Sequence, residues 1–403
     1  MVELRTVRIA DLGRVVTGKT PPSARAELFG EDYPFLTPTD IDGVARYIDP
    51  ERFLSPQGHD HQQRLVLPKH AVCIVCIGAT IGKVCMTNRP SFTNQQINSV
   101  IVNEEKYDPF FVYHLMTTLR DELKANAGGA ATPIINKTAF SEIEVSVPLL
   151  PLQRRIACVL SAYDDLMENS QRRIRILEAM ARALYREWFV HFRFPGDEKL
   201  TRVASSLGDI PEGWEVRHVK DVATVTYGFP FASEKFNTDG NGNPVIRIRD
   251  IPEGFSSTFT VEDAEPEYHV KNGHILVGMD GDFHMCIWSS GHAFQNQRVG
   301  RFESKGGIGN LHLFLALEKP IQEFNKAIVG TTVAHLGDMH IKTMQIVWPP
   351  AKLREKAREI LEPMSEQIIA LQRQIQNLRR TRNLLLPRLL SGQVELETEE
   401  IRA

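Results

Sequence analysis

The most regular feature of the chain is a pair of long stretches in which apolar residues recur at alternating steps of four and three. In the first, Ile156, Leu160, Tyr163, Met167, Ile174, Leu177, Ala181, Leu184 and Trp188 share one stripe, with Ser170 in the remaining slot. In the second, Ala357, Leu361, Met364, Ile368, Leu371, Ile375, Leu378, Leu385 and Leu389 do the same, with Arg382 in the remaining slot. Adding 201 to each position of the first stripe gives the second. A 3.5-residue period held this long predicts a coiled-coil seam, and about 33 residues of it make a rod of roughly 50 Å. Charged flanks (Arg172, Arg173 and Arg175; Arg373, Arg379 and Arg380) suit a solvated rod. Both seams lie in one chain and match in length, so they are expected to pair with each other rather than to form an oligomerising stalk. Pro363 and Pro387 interrupt the second stripe, and a bend or frayed turn is expected at each.

Before each rod the pattern changes to short runs of period two. Clean alternation at 142–147 and 344–348 predicts one strand closing each block. Further strands are expected at 72–77, 97–102, 245–248, 274–277 and 311–317, with short helices near 109–126 and 321–329. The two blocks also fall into register. At offset 210, Ile9-Ala-Asp11-Leu meets Val219-Lys-Asp221-Val, and Pro34-Phe-Leu-Thr-Pro-Thr-Asp40-Ile41 meets Pro244-Val-Ile-Arg-Ile-Arg-Asp250-Ile251. At offset 202, Phe92-Thr-Asn94-Gln95 meets Phe294-Gln-Asn296-Gln297; at 201, Gly129, Val147 and Pro148 meet Gly330, Trp348 and Pro349. A period near 200 is too long for a solenoid and marks a duplicated unit. The fold class is therefore α+β: two β-rich mixed domains separated by two long antiparallel coiled-coil helices, with a pseudo-two-fold internal repeat. The boundaries fall at 1–150, 151–205, 206–350 and 351–403.

Composition narrows the classes without choosing one. The chain has 403 residues, 42% apolar and 24% charged, and a mean hydropathy of −0.23. That is an ordered globular chain of two or three domains. No run of 18 apolar residues occurs, which argues against a membrane span. The charged start lacks an apolar leader, so a cytoplasmic setting is expected. The net charge of −3 points to no particular partner, although the two blocks lean acidic while the two rod segments are slightly basic. Five cysteines, Cys73, Cys76, Cys85, Cys158 and Cys286, are too few and too scattered for a disulfide framework.

Familiar chemical motifs fail on inspection. Gly78-Ala-Thr-Ile-Gly82-Lys83 is one residue short of a phosphate loop and lacks the hydroxyl that would hold magnesium. Cys73 and Cys76, if they lie on a strand, point to opposite faces, so no zinc site is expected and buried apolar thiols are. His59-Asp60-His61 has no third ligand nearby in sequence. Neither a nucleophile elbow, nor a dinucleotide fingerprint, nor the Asn/Asp-Pro-Pro-Tyr tetrapeptide that grips a base in amino-methyltransferases occurs. An enzyme acting alone is not expected.

Groups suited to base edges do recur in the two halves. Arg247 and Arg249 alternate along an expected strand, which would aim two guanidinium forks the same way, and arginine pairs bidentately with guanine. The loop Tyr227-Gly-Phe229-Pro-Phe-Ala-Ser-Glu-Lys235-Phe236 mixes aromatics with a lysine. Asn94-Gln95-Gln96 and Asn296-Gln297-Arg298 carry amides that can pair with adenine, or that can satisfy turn backbone instead. Lys19, Thr37, Thr39, Lys83, Lys137 and Lys342 complete the candidates for DNA contact.

A block followed by a heptad helix, twice over, resembles the specificity subunit of type I restriction–modification enzymes. The resemblance spans the chain and is most specific at Val145-Ser-Val-Pro148-Leu-Leu-Pro-Leu152, Gln345-Ile-Val-Trp-Pro349-Pro350, Ala183-Leu-Tyr-Arg-Glu-Trp188-Phe189 and Leu384-Leu-Leu-Pro387-Arg-Leu-Leu-Ser-Gly392-Gln-Val. One departure is Gln153-Arg154-Arg155 and Leu353-Arg354-Glu355, where the family often has Glu-Gln; it bears on contacts at the helix starts. The resemblance implies that each block is a target-recognition domain for one half of a split site on double-stranded DNA. It implies that the paired helices set the gap and dock two methyltransferase subunits. Those subunits would carry S-adenosylmethionine and methylate adenine, while a separate motor-nuclease (restriction) subunit cuts. This chain would then hold no catalytic residue, metal or cofactor of its own. Readers about 50 Å apart would reach successive major grooves, a turn of DNA being roughly 34–36 Å. The rival reading from the residues is a coiled-coil protein scaffold that never touches DNA.

Overall fold

The structure, a computed structural model, describes residues 4–128, 133–196, 201–327, 335–391 and 393. The repeat anchors Gly129 and Gly330, the end of the expected helix at 321–329 and the tail motif from Gly392 apart from Gln393 lie outside the described residues. The chain forms two compact units, Met1–Glu168 with Asn377–Ala403, and Asn169–Gln376. Each unit therefore takes one sheet block and a part of each rod.

In the first unit a four-stranded antiparallel sheet runs in the order Gly13–Thr17, Ile97–Val102, Val72–Val75, Val84–Met86. A second small sheet orders Phe29–Gly30, Phe53–Leu54, Tyr33–Leu36 and Phe92–Thr93, its last pair parallel. Arg5–Arg8 and Glu144–Val147 close the block as an antiparallel clasp. The second unit repeats this plan. Ala223–Tyr227, Val299–Ser304, Ile275–Gly278 and Met285–Ile287 form the four-stranded sheet. Phe236–Asn237, Phe259–Thr260, Asn243–Ile246, Ala293–Gln295 and His269–Val270 form the smaller one, again with one parallel pair. The clasp joins Glu215–His218 to Gln345–Trp348. The repeated sequence anchors are thus structural equivalents. Asp11 and Asp221 sit in matching one-turn helices, and the two offset segments beginning at Pro34 and Phe92 are the strands of the parallel pair.

Two expectations for the blocks are corrected. The run 311–317 lies within a helix, Asn310–Ala327. Leu313, Ala316 and Leu317 enter the block's core while Leu311 and Leu315 enter the cluster beneath the rods. A helix buried on two sides is apolar nearly all round, and its sequence can imitate strand alternation. Second, Arg247 and Arg249 do not share a strand face, because the strand ends at Ile246 and Ile248–Asp250 is a 3₁₀ turn. The Asp250 carboxylate accepts the Arg247 backbone N–H at 2.8 Å, which closes the turn. Asp40 does the same for Thr37 at 2.7 Å, so the repeated aspartate marks a turn and not a strand.

The rods form as the heptads predict. The first is Leu150–Tyr185, continued by a π-helical turn at Arg186–Val190, and the second is Ala351–Leu390. Every residue of both stripes is buried or half-buried. In the first unit Ile156 and Leu160 share a core with Leu386 and Leu389, and Asp164 meets Arg382. Numbers rise along one helix as they fall along the other, which makes the pair antiparallel. In the second unit Ala181, Leu184 and Trp188 cluster with Ala357, Leu361 and Met364. The second rod continues through Pro363 and Pro387 as one helix, so of the bend or frayed turn expected at each, the frayed turn does not occur. Buried apolar residues lie on both sides of each proline, Leu361 with Ile368 and Leu386 with Leu389, and that packing carries the helix across the lost backbone bond. Among the described residues no helix is long and apolar enough to cross a membrane.

The departure at the helix starts has its own solution. The buried Gln153 side chain donates to the Pro148 carbonyl at 2.8 Å and accepts the Asp108 N–H at 3.0 Å. At the matching place Arg354 donates to the Pro349 carbonyl at 2.7 Å and lies over the Trp348 ring. Cys73 and Cys76 face different cores, as period two requires; Cys73 lies opposite Cys85 on the neighbouring strand.

Candidate nucleic-acid interface

Three loops converge at one edge of the first block, each leaving the end of a strand. The first holds Gly18-Lys19-Thr20, the second Thr37–Asp40 by number 37–40, and the third Asn94-Gln95-Gln96. The Lys19 N–H donates to the Thr93 carbonyl at 3.0 Å, and the Asn94 N–H to that of Leu36 at 3.0 Å. A Cβ on Gly18 would lie 2.2 Å from the Thr93 carbonyl oxygen, so the close approach of the loops requires glycine. Lys19, Thr39 and Gln95 are exposed at the tips. Thr37 and Asn94 are buried and build the frame: the Thr37 hydroxyl donates to Asp40 at 2.6 Å, and the Asn94 carbonyl oxygen accepts the Gln96 N–H at 3.0 Å. The Thr20 hydroxyl donates to the Gln95 side-chain carbonyl at 2.8 Å.

The second block builds the same edge. The Phe229 N–H donates to the Gln295 carbonyl at 2.9 Å and the Asn296 N–H to that of Ile246 at 3.1 Å. A Cβ on Gly228 would lie 2.0 Å from the Asn296 carbonyl oxygen. Here the tips differ in chemistry. Phe229 is half-buried between Phe231 and Tyr268, with ring centroids 4.9 and 5.3 Å away. Gln297 is exposed, and the Arg249 and Arg298 side chains are 69% and 55% exposed. Arg298 reaches Asp280 at 3.3 Å, and Asp280 also meets His335 at 2.5 Å.

Three comparisons bear on what such a pair of edges belongs to. The family model for the type I restriction modification DNA specificity domain matches the chain twice, at residues 1–179 and 211–379. The chain belongs to that family. Among its relatives is the type I restriction enzyme MjaIX specificity subunit of Methanocaldococcus jannaschii, 27% identical over 97% of this chain and 93% of the relative. The HindI specificity subunit of Haemophilus influenzae is 34% identical over 42% of this chain and 38% of its own length. The crystal structure of the type I restriction-modification system S subunit from M. genitalium has a similar fold, with a TM-score of 0.58 at 16% identity, covering 96% of both chains.

Each copy of the specificity domain begins with a sheet block and runs into a rod, and the remaining candidates are distributed within them. In the first copy Lys83 is half-buried with its stem over Gly43, and Lys137 is exposed in the first turn of the helix Lys137–Glu142. In the second copy Tyr227 donates its hydroxyl to Asp338 at 2.6 Å, and Lys342 pairs with the same carboxylate at 2.8 Å, as does Lys220. Hydrogen bonds from Lys220, then Lys342, then Tyr227, hold the Asp338 carboxyl well below the usual carboxylate range. Burial, followed by Asp338, pushes the Tyr227 phenol up. Lys235 reaches Glu262 at 3.6 Å. Arg247 lies over the Phe236 ring and donates to the Thr258 hydroxyl, with a quarter of its side chain exposed, so it serves the frame.

The fold therefore brings Lys19, Thr37, Thr39, Asn94 and Gln95 together in one copy, and Phe229, Arg247, Arg249, Gln297 and Arg298 in the other. Lys83 and Lys137 lie elsewhere on their own elements. Sequence reading missed Gly18, Thr20 and Gly228 at these edges, and Asp280 with His335 behind Arg298. The glycines were accessible, since Gly18 and Gly228 fall at the same offset of 210 as the other anchors. Asp280 left no such trace, because its equivalent in the first copy is an isoleucine.

A second feature of the family member lies where the first block meets its rods. Asp164, 3% exposed, meets Arg382 at 2.5 Å and His114 at 3.4 Å. Arg46, stacked over Tyr47 and Phe110, bridges Asp165 at 2.5 Å and Glu168 at 3.3 Å. Burial raises the Asp164 carboxyl against the pull of Arg382. Burial, then Arg382 and Arg46, pulls His114 down to about 3. The corresponding junction in the second unit is aromatic: Phe189, Trp214, Tyr185 and the buried His312, itself pulled down to about 3 by burial.

Proposed function

We propose that this chain is the DNA-specificity subunit of a type I restriction–modification complex, recognising a split site on double-stranded DNA. Each block reads one half of the site, and the paired rods hold the halves apart while docking two adenine-N6 methyltransferase subunits and, through them, restriction subunits. S-adenosylmethionine is bound by the methyltransferase partners; this chain supplies recognition and no catalytic residue, and it works in the cytoplasm. The observation that carries this reading is the recurrence of one loop edge on one topology, with different side chains at the tips. A shared frame with divergent tips is what two readers of different sequences require, because base edges are distinguished by hydrogen-bond pattern. Lys19, Thr39 and Gln95 would contact DNA from the first edge, and Phe229, Arg249, Gln297 and Arg298 from the second. Lys83, Lys137, Lys235 and Lys342 would serve phosphates. Helices of 36 and 40 residues, roughly 54 and 60 Å of rod, exceed one turn of DNA.

The test is selection of bound duplexes from a randomised pool by the chain assembled with its methyltransferase subunit. Enrichment of two short conserved segments separated by a fixed unconserved gap is expected. Recovery of the pool without enrichment would instead favour a protein scaffold. The purified chain alone, given S-adenosylmethionine, is expected to methylate nothing.

A further inference from the structure

We infer that Thr20 and Asp280 are positioning residues which pre-organise one recognition side chain in each block, Gln95 and Arg298, and so give the two half-sites different base requirements. This rests on the proposed DNA-reading role of the two edges and names what each edge reads. In the first block the Thr20 hydroxyl holds one lone pair of the Gln95 carbonyl oxygen at 2.8 Å. The oxygen keeps a second lone pair and the amide keeps both N–H donors. That combination, one acceptor beside one donor, matches the N6 amine and N7 of adenine. In the second block the Asp280 carboxylate lies 3.3 Å from the Arg298 Nε, which occupies one of the five N–H donors of a side chain that is 55% exposed and leaves terminal donors for a ligand. A fork of two donors matches O6 and N7 of guanine.

The two devices do not occur together. Matching the backbone bonds of the blocks shows it: Lys19 and Phe229 donate to Thr93 and Gln295, so the residue equivalent to Thr20 is Pro230, which has no hydroxyl. Cys76 and Met279 donate to Gln96 and Arg298, so Asp280 corresponds to Ile77. The bridge between Asp280 and His335 corresponds to the bridge between Ile77 and Ile134. Each block thus carries a brace for a different residue on the same frame. His335 at 2.5 Å from Asp280 fixes that carboxylate from its other oxygen, and the adjoining backbone bond from the Leu336 N–H to the Met279 carbonyl at 2.8 Å fixes its segment. An aspartate kept beside a DNA-facing edge works against phosphate binding, so its presence there calls for a positive role in orienting Arg298.

The experiment uses the full chain assembled with its methyltransferase subunit, and a set of duplexes with every single base pair of the selected site substituted. Thr20→Val is expected to lower discrimination about tenfold at one adenine of the first block's half-site, leaving the other half unchanged, and Thr20→Ser is expected to restore it. Asp280→Asn is expected to lower discrimination about tenfold at one guanine of the other half, while affinity for random DNA stays equal or rises. Unchanged discrimination in both variants overturns the inference. So does an equal loss at every position that Thr20→Ser fails to repair, since that is the mark of a general structural role. Absence of any split-site preference in the parent complex would instead remove the proposed function itself.

Discussion

His114 and His312 are held neutral, the first by burial and then by Arg382 and Arg46, the second by burial and then by Arg354, each pulled down to about 3 from an ordinary value of 6.5. The unfolded chain takes up those protons first, so folding stability is complete above about pH 6.5 and declines as the pH falls from there toward 3. At pH 5 each histidine should cost roughly 2 kcal/mol relative to pH 7. Urea unfolding at the two pH values measures this, and His114→Leu or His312→Leu should each flatten the dependence. An unaltered difference in either variant would mean that other groups carry it. Among the arginines, the structure separates two that look alike in sequence. Arg249→Ala should cost about 1–3 kcal/mol on cognate DNA with the fold intact, whereas Arg247→Ala should lower the melting temperature, since Arg247 braces Thr258 and Phe236. Equal loss on cognate and random DNA for Arg249→Ala would reassign it to phosphate contact.

Among the elements, the rods and the closing strands were readable because their periodicity reports burial on one face, and burial on one face is what these elements have. The stripes matched residue for residue, including the slot at Arg382, whose charge is met by Asp164. The helix Asn310–Ala327 was misread for the complementary reason: with two buried sides, Leu311 to Leu317 retain no single period. The turn at Ile248–Asp250 was missed because Asp250 acts through a side-chain bond to backbone, which alternation of apolar residues does not register. The partners of the recognition residues were least legible, since Thr20 with Gln95 and Asp280 with Arg298 lie 75 and 18 positions apart in sequence and meet through the sheets. Breaking the buried pair in the rods should be costly. Asp164→Ala leaves Arg382 without its carboxylate, and a loss of about 3 kcal/mol or more is expected in urea unfolding. Adding Arg382→Leu should recover much of it by completing an apolar seam. No recovery would show that Arg382 matters beyond this pair.

At the scale of the whole chain, one ancestral plan was duplicated and its copies then diverged where they face outward and where they meet the rods. The sheets, the parallel strand pair and the close glycine approach are common to both units. The tips carry lysine, hydroxyl and amide in one copy and aromatic, guanidinium and amide in the other, and the junctions are ionic in one and aromatic in the other. Inserting seven residues into one rod alone should leave each block folded, because block and rod cores lie within single units, yet weaken assembly with the methyltransferase; undiminished assembly would separate docking from the seam. The central claim is that each block reads its own half of the DNA site. Replacing residues 1–147 with those of a relative, and sequencing the methylated motif in cells that carry the exchanged chain, tests it most directly. The account predicts that one half of the motif changes while the other half and the gap persist; a change in both halves, or in neither, contradicts it.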